Sequence, residues 1–432
     1  MKLLFIENRY KTHFFDLVAA ELEKLGHEIF WIIQNPNFLP KTGNINIIKY
    51  PSKKTKIKPN IDLSEIIESD RQLNFFKKKE ISYFYYYYEK IESLIREINP
   101  EITFGESTVF HELLTIKIVK DRGGMFLHPT SCRYPSGRFS FYKFDTVQPF
   151  RGSNDLLLQS EAKNIIKNIV DRSSKPDYMK KVTINRKHIY SDKIKILKGY
   201  FSGEKYNTPH PFVKLKKEKE KKKNITIWNK HAIHAIDDDF FSIVYPLHLQ
   251  PEANIDVWGR NRRNQLENVK GIAKNLKDNQ TLYVKPNPKS KYEISQRLID
   301  FIKLAPNVKM LHHDVAMDAI FNDTDLFLTV NGTIALECIF TNKPVLSLVN
   351  VFFNNASNCV FLENFISLQK YILKIQNHTF PSLLDNEKVI FLNLLCKTSF
   401  KGVVSDFINN PICMSNQNIK EVTKAFNHIL KQ

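Results

Sequence analysis

A chain of 432 residues, 42% hydrophobic and 12% aromatic, is too long for one ordinary core and too apolar to be disordered, so two globular domains are expected. Its net charge of +19 calls for an anionic partner, either nucleic acid, an acidic membrane face or an anionic small substrate. Nucleic acid is set aside because no recognition-helix, zinc-finger or RNP-type motif occurs, and no apolar run approaches the ~18 residues of a membrane span.

The elements then follow in chain order. Residues 1–6 form too short an apolar run for a signal peptide, and Glu7-Asn8-Arg9 stops it, so 2–7 reads as a first strand. A loop over 8–13, a helix over 14–25 ended by Gly26, and a strand over 27–33 come next. A helix is predicted over 78–98, and its run Tyr83-Phe-Tyr-Tyr-Tyr-Tyr88 reads as core packing. Strand 101–104, loop 105–107, helix 108–122, the pair Gly123-Gly124 and strand 125–128 continue the alternation. Stretches 53–74 and 155–205 carry no clear pattern.

Residues 214–223 hold seven lysines and two glutamates, a solvated linker or exposed helix. Beyond it, strands are predicted at 224–228, 241–245, 281–284, 326–330 and 344–348. Helices are predicted near 262–277, 293–304, 315–322, 334–341, 362–375 and 418–430, and Asp237-Asp-Asp239 reads as a turn. The fold class is therefore α/β, with an N-terminal domain over 1–213, a lysine-rich linker over 214–223, a C-terminal domain over 224–415 and a terminal helix over 416–432. The five cysteines, Cys132, Cys338, Cys359, Cys396 and Cys413, are scattered without metal-ligand spacing, which suits reduced, buried thiols in a cytoplasmic protein.

In open parallel sheets ligands bind beyond the carboxyl ends of the strands. In the C-terminal half those ends run into Pro246-Leu-His-Leu-Gln-Pro-Glu252, Lys285-Pro-Asn-Pro288 and Asn331-Gly-Thr333. One edge thus gathers His248, Gln250, Glu252, Lys285, Asn287, Asn331, Gly332 and Thr333. Lys285 offers a cation to a phosphate, and Asn331–Thr333 offer N–H groups at the start of a helix that Thr333 is expected to cap. Glu337, one helical turn further, is placed to bind ribose hydroxyls.

These three motifs, with Glu337 and Lys343-Pro344, resemble those of bacterial capsule and surface-polysaccharide biosynthesis proteins, the family that includes the capsular Kdo transferases. The resemblance is strongest over about 225–355 and weaker over 100–145. It implies a GT-B glycosyltransferase: two Rossmann-like domains with parallel sheets facing an interdomain cleft, the nucleotide-sugar donor held mainly by the C-terminal one. The family's second motif is usually Lys-Pro-His-Pro, and here Asn287 stands in place of that histidine.

The N-terminal half is expected to supply the acceptor side. Glu106 follows one strand and His128 ends the next; Glu106 is the first candidate for the catalytic carboxylate, with His248 or His128 as proton-transfer groups. Arg133 and Arg138, on the loop after His128, suit the carboxylate or phosphate of an acceptor, and 8–13 is a further candidate lining. The expected reaction is metal-independent transfer of a sugar from a nucleotide-activated donor to a lipid-linked or oligosaccharide acceptor. The resemblance favours a CMP-linked ulosonic acid such as Kdo, with no cofactor beyond the co-substrate. The expected location is the cytoplasm, with peripheral docking on an anionic inner-membrane surface. Two rival readings stand: a phosphotransferase using a CDP-activated donor, and a non-catalytic partner in capsule assembly or export.

Overall fold

The computed structural model describes residues 1–52, 61–173, 186–237 and 239–431, with the side chains of 186–192 left aside. Parts of both unpatterned stretches (53–60 and 174–185), and Asp238 of the expected turn, lie outside the described residues. The chain forms two compact α/β units. Unit 1 takes Met1–Leu157, Lys175–Pro211 and Asn393–Gln432; unit 2 takes Leu158–Ser174 and Phe212–Leu392.

Among the described residues thirteen strands build two sheets. The first six are β1 (Lys2–Ile6), β2 (Glu28–Ile33), β3 (Asn44–Ile47), β4 (Ile102–Phe104), β5 (Phe126–Ser131) and β6 (Arg138–Lys143). Then come β7 (Phe241–Pro246), β8 (Gln280–Lys285), β9 (Val308–Met310), β10 (Leu326–Thr329), β11 (Val345–Ser347), β12 (Cys359–Phe361) and β13 (Phe400–Lys401).

In unit 1 the order is β13-β6-β5-β4-β1-β2-β3, parallel except that β6 runs against both of its neighbours. β1 is an apolar run because helices cover both faces of a parallel sheet. The first helix spans Arg9–Lys24, so most of the expected loop 8–13 is helical. Its free N–H groups are taken locally: Glu7 Oε1 accepts from the Arg9 N–H at 2.6 Å, and Thr12 Oγ1 from the Asn8 N–H at 3.0 Å. The aromatic run lies on helix Ser82–Ile98, where Tyr83, Phe84, Tyr86 and Tyr87 are buried, as its core reading expected.

Residues after 392 return to unit 1, although the sequence places them with the second domain and a separate terminal helix. Two contacts explain the difference. β13 pairs with β6, and helix Asn416–Leu430 sets the Phe426 ring 4.7 Å from Phe104 and 4.8 Å from Phe141. Arg138 is the anchor for this return. It is not a loop residue but the first of β6, 6% exposed, and its guanidinium donates to Ser399 Oγ and to the carbonyls of Cys396 and Ser399 at 2.7–3.0 Å. An ion pair to Asp155 at 2.8 Å completes the set, so the expected acceptor role for Arg138 is replaced by a structural one.

Unit 2 carries six strands in the order β12-β11-β10-β7-β8-β9, all parallel. The lysine-rich segment and the strand expected at 224–228 are both part of one helix, Pro211–His231. Lys and Glu are strong helix formers, and Lys217 pairs with Glu220 one turn on. The far end of that helix is buried by Trp228, whose indole N–H donates to the Leu311 carbonyl at 2.8 Å. No disulfide joins any two of the five cysteines, and four are buried. Among the described residues no helix is long and apolar enough to cross a membrane.

Candidate functional site

In unit 2 the strands β10, β7 and β8 are neighbours in that order, so the segments leaving their carboxyl ends share one rim. His248 follows β7, Lys285 ends β8, and Asn331-Gly332-Thr333 follows β10. Two of the three segments meet directly. The Thr329 hydroxyl lies 3.2 Å from His248 Nε2 and accepts the Gly332 N–H at 3.0 Å, while the Val330 N–H donates to the same Nε2 at 3.3 Å.

That pattern assigns the His248 tautomer. Nε2 accepts, so the proton of the neutral ring sits on Nδ1. Burial lowers the imidazole to about 4, so at neutral pH His248 is an uncharged N–H donor. Its backbone is fixed by Gln265, which accepts the His248 N–H at 2.7 Å and donates to the His248 carbonyl at 2.9 Å.

The turn after β10 is tight. A Cβ on Gly332 would meet Thr329 Oγ1 at 2.6 Å, which is why glycine stands there. Asn331 donates from Nδ2 to the Asn254 carbonyl at 2.5 Å, which turns Oδ1 the other way, buried and without a partner among the described residues. Helix Ile334–Thr341 starts here. Thr333 has helical backbone angles and its side chain makes no capping bond, contrary to the expected cap. The N–H groups of Thr333 and Ile334 therefore have no protein partner among the described residues. The rim thus gathers two backbone N–H donors and an amide acceptor without protein partners among the described residues, beside the ring N–H of His248.

Lys285 reaches the rim but is turned inward. It is 2% exposed, and its Nζ donates to the carbonyls of Pro286 at 2.8 Å and His313 at 3.3 Å. Burial lowers it to about 8, so it remains mostly a cation at neutral pH. Asn287 shapes its own loop, its Oδ1 accepting the Lys289 N–H at 2.9 Å. Gln250 is spent on scaffolding: Nε2 donates to Asp256 at 2.7 Å and to the Arg263 carbonyl at 3.0 Å, and Oε1 accepts from Gln265 at 2.9 Å. Glu252 is half-buried at the start of helix Ala253–Asp256. Glu337 pairs with Arg172 at 2.8 Å, a partner from the stretch that sequence pattern leaves unplaced. The sequence reading also missed Thr329 and Gln265. Thr329 carried a faint signal, a hydroxyl at the strand end just before Asn-Gly-Thr; Gln265 carried none.

Unit 1 has its own rim. Glu106 follows β4, is 7% exposed, and pairs with Lys11 of helix Arg9–Lys24 at 2.5 Å. Burial raises its pKa and Lys11 opposes the rise. A second carboxylate, Glu112, lies beside it and was not foreseen. It accepts from Asn8 Nδ2 at 2.6 Å and from the N–H groups of Thr108 at 2.8 Å and Val109 at 3.0 Å. Burial, then the neighbouring Glu106, raise it to about 7. Glu112 caps helix Phe110–Asp121.

His128 is not at a strand end. It sits inside β5, fully buried, with Nε2 bonded to the Thr146 carbonyl at 2.8 Å, and so has no access to a substrate. Arg133 is half-buried in the hairpin loop between β5 and β6.

No protein-family model matches the chain, and no curated protein matches it in sequence. Solved structures similar to it share little identity. UDP-GlcNAc 2-epimerase from Methanocaldococcus jannaschii is 14% identical over 91% of this chain and 99% of its own, with a TM-score of 0.28. UDP-GlcNAc 2-epimerase from Neisseria meningitidis, bound to UDP-GlcNAc, is 12% identical over 91% of this chain and 98% of its own, with a TM-score of 0.30. Thermosulfurimonas dismutans KpsC, a beta Kdo 2,7 transferase, is 10% identical over the full length of both chains, with a TM-score of 0.38. Scores and identities this low leave the chemistry to this chain's own residues.

Proposed function

We propose that the protein is a glycosyltransferase that moves a sugar from a nucleotide-activated donor to an acceptor of a surface glycan. What supports this most is the rim of unit 2, where His248 Nδ1–H, the Thr333 and Ile334 N–H groups and the orphan Asn331 Oδ1 lie on two segments that meet, with Lys285 at the end of the adjacent strand β8. The N–H donors suit the phosphate of a leaving nucleotide, Asn331 Oδ1 suits a sugar or ribose hydroxyl, and the buried Lys285 of the adjacent strand end adds positive field. A neutral His248 donates a hydrogen bond without a proton to give up, so its role is to hold the phosphate.

Glu106 is the carboxylate assigned to the reaction, as base toward the acceptor hydroxyl; burial raises its pKa, which strengthens it as a base, and the Lys11 charge opposes the rise. A CMP-linked ulosonic acid is the donor this reading favours, on the strength of the motif resemblance. The test has two arms. Thermal-shift titration with CMP, UDP and GDP is expected to show stabilisation that His248→Ala loses. A transfer assay on membrane-derived acceptor is expected to show Glu106→Gln and Lys285→Ala each slowed by about 100-fold or more. Wild-type rates in both variants would overturn the reading. A phosphodiester in the product would replace it with phosphotransfer.

A further inference from the structure

We propose that unit 1 carries an oxyanion-recognition site built from the guanidinium groups of Arg9 and Arg71, suited to the carboxylate or phosphate of an anionic sugar. The site rests on the glycosyl-transfer reading only in that its anion is the acceptor's.

Four observations carry it. The first is place. Glu7 leaves the carboxyl end of β1, and Gln34 and Asn35 leave that of β2, on the rim where parallel sheets bind ligands. Arg9 stands two residues beyond Glu7, with a φ of +37°, an uncommon backbone for a residue with a side chain. Its guanidinium donates to Thr208 Oγ1 at 2.7 Å and lies 3.4 Å from Glu204 Oε2.

The second is an underused cation. Arg71 opens a short helix that Asp70 caps, and it is half-buried. Its guanidinium makes one long hydrogen bond, 3.4 Å to the Asn207 carbonyl, and no ion pair among the described residues. Burial first, and the Arg9 charge second, push it down to about 10, so the two cations repel across this space.

The third is charge balance. Glu204 is fully buried and its carboxylate is already saturated. It accepts from Tyr206 N–H at 3.0 Å, Asn207 N–H at 2.8 Å, Gln34 Nε2 at 3.2 Å and the Thr208 hydroxyl. Burial opposes its charge, but Arg9 and these donors hold it ionised. Glu7 is pushed up to about 7 by burial, and His111, lowered to about 4 by burial, is neutral. Asp70 is raised by burial and occupied by the Gln72 and Leu73 N–H groups. Glu204 thus serves Arg9 directly, while Arg71 feels Asp70, Glu204 and Glu112 through space without an ion pair to any of them among the described residues.

The fourth is a surplus of donors. Asn35 Nδ2 and the Tyr50 hydroxyl are buried without a partner among the described residues. Tyr50 feels the charges of Glu204, Glu7 and Arg9, and the Asn35 N–H donates to Glu7 Oε2 at 3.0 Å, which puts these two residues on the Arg9 side of the space. Buried donors normally find acceptors. The two guanidiniums reach adjacent residues, Thr208 and Asn207, and an oxyanion between them would supply an acceptor and relieve the cation repulsion.

The experiment is calorimetric titration of the full-length protein with glucuronate, glucose 6-phosphate and glucose. One of the two anionic sugars is expected to bind about tenfold or more tightly than glucose, and which one it is tells carboxylate from phosphate recognition. Arg71→Gln is expected to weaken that binding by about tenfold or more, and Arg71→Lys, which keeps charge but not the planar fork, by less. CMP, UDP and GDP titrations of Arg71→Gln are expected to match wild type. A failure of nucleotide binding in wild type would therefore strike the donor reading and leave this site standing. Because Arg71→Gln can lose its fold, wild-type protein is also treated with an arginine-specific dicarbonyl and mapped by mass spectrometry. Protection of Arg71 by the anionic sugar but not by glucose is expected. Equal modification rates, or equal affinity in wild type and Arg71→Gln, would overturn the proposal.

Discussion

Single side chains here show how burial sets chemistry. His248 looks from sequence like a proton-transfer group, but the Val330 N–H and the Thr329 hydroxyl both point at Nε2, and burial lowers its pKa to about 4. A neutral donor results. The same shift makes a stability prediction. The folded ring binds a proton less readily than the unfolded one, whose pKa is near 6.5. The unfolded state therefore holds more protons between about pH 4 and 6.5, and stability falls as pH drops through that window. Above it the contribution is constant. Urea unfolding across pH 4 to 7 is expected to show wild type losing stability faster than His248→Asn by a slope of about one proton. Parallel curves would show that the imidazole is not held neutral. His128 teaches a plainer lesson: its place after an apolar run suggested a strand end, but β5 continues to Ser131 and seals it.

At the scale of elements, the strand–turn–helix segments of the C-terminal half were legible because their pattern is local. Strands 241–245, 281–284 and 326–330 were read within a residue or two of β7, β8 and β10, and helix 334–341 matches to the residue. The strand expected at 224–228 failed because a buried Trp228 on a long helix gives the same short apolar run as a strand. β13 was missed because its pairing partner lies far away in the chain, Phe400 opposing Phe139, whereas β6 is the local hairpin partner of β5 and its short run after a Pro- and Gly-bearing loop went unread. A close backbone approach holds that return. A Cβ on Gly152 would lie 2.0 Å from the Lys397 carbonyl oxygen and 2.5 Å from Thr398 backbone atoms. Gly152→Ala must push two backbone segments apart, and a loss of about 2–3 kcal/mol is expected by urea unfolding. A loss under about 0.5 kcal/mol would mean that the segments part freely.

For the whole molecule, the decisive fact is that unit 1 is finished by the end of the chain. Phe426 from helix Asn416–Leu430 fills the space against Phe5, Phe104 and Phe141 at 6.3, 4.7 and 4.8 Å between ring centroids. A chain ending at residue 392 is expected to leave that aromatic core open and to lose the near-UV circular dichroism of unit 1, with aggregation on concentration. Retention of the full near-UV signal and a cooperative melt would show that the C-terminal return is dispensable.

What the residues by themselves determined was the alternation of strands and helices, the α/β class and the three rim motifs of the C-terminal half, because periodicity and turn chemistry act over a few neighbours. What only the tertiary structure decided was which of those side chains are free to meet a ligand. Arg138, Gln250 and Glu337 read as ligand groups but are consumed by Ser399, Gln265 and Arg172, while Arg71, with no motif around it, is left short of partners. Whether a polar group is spent or spare depends on partners tens to hundreds of residues away, and no local pattern encodes them.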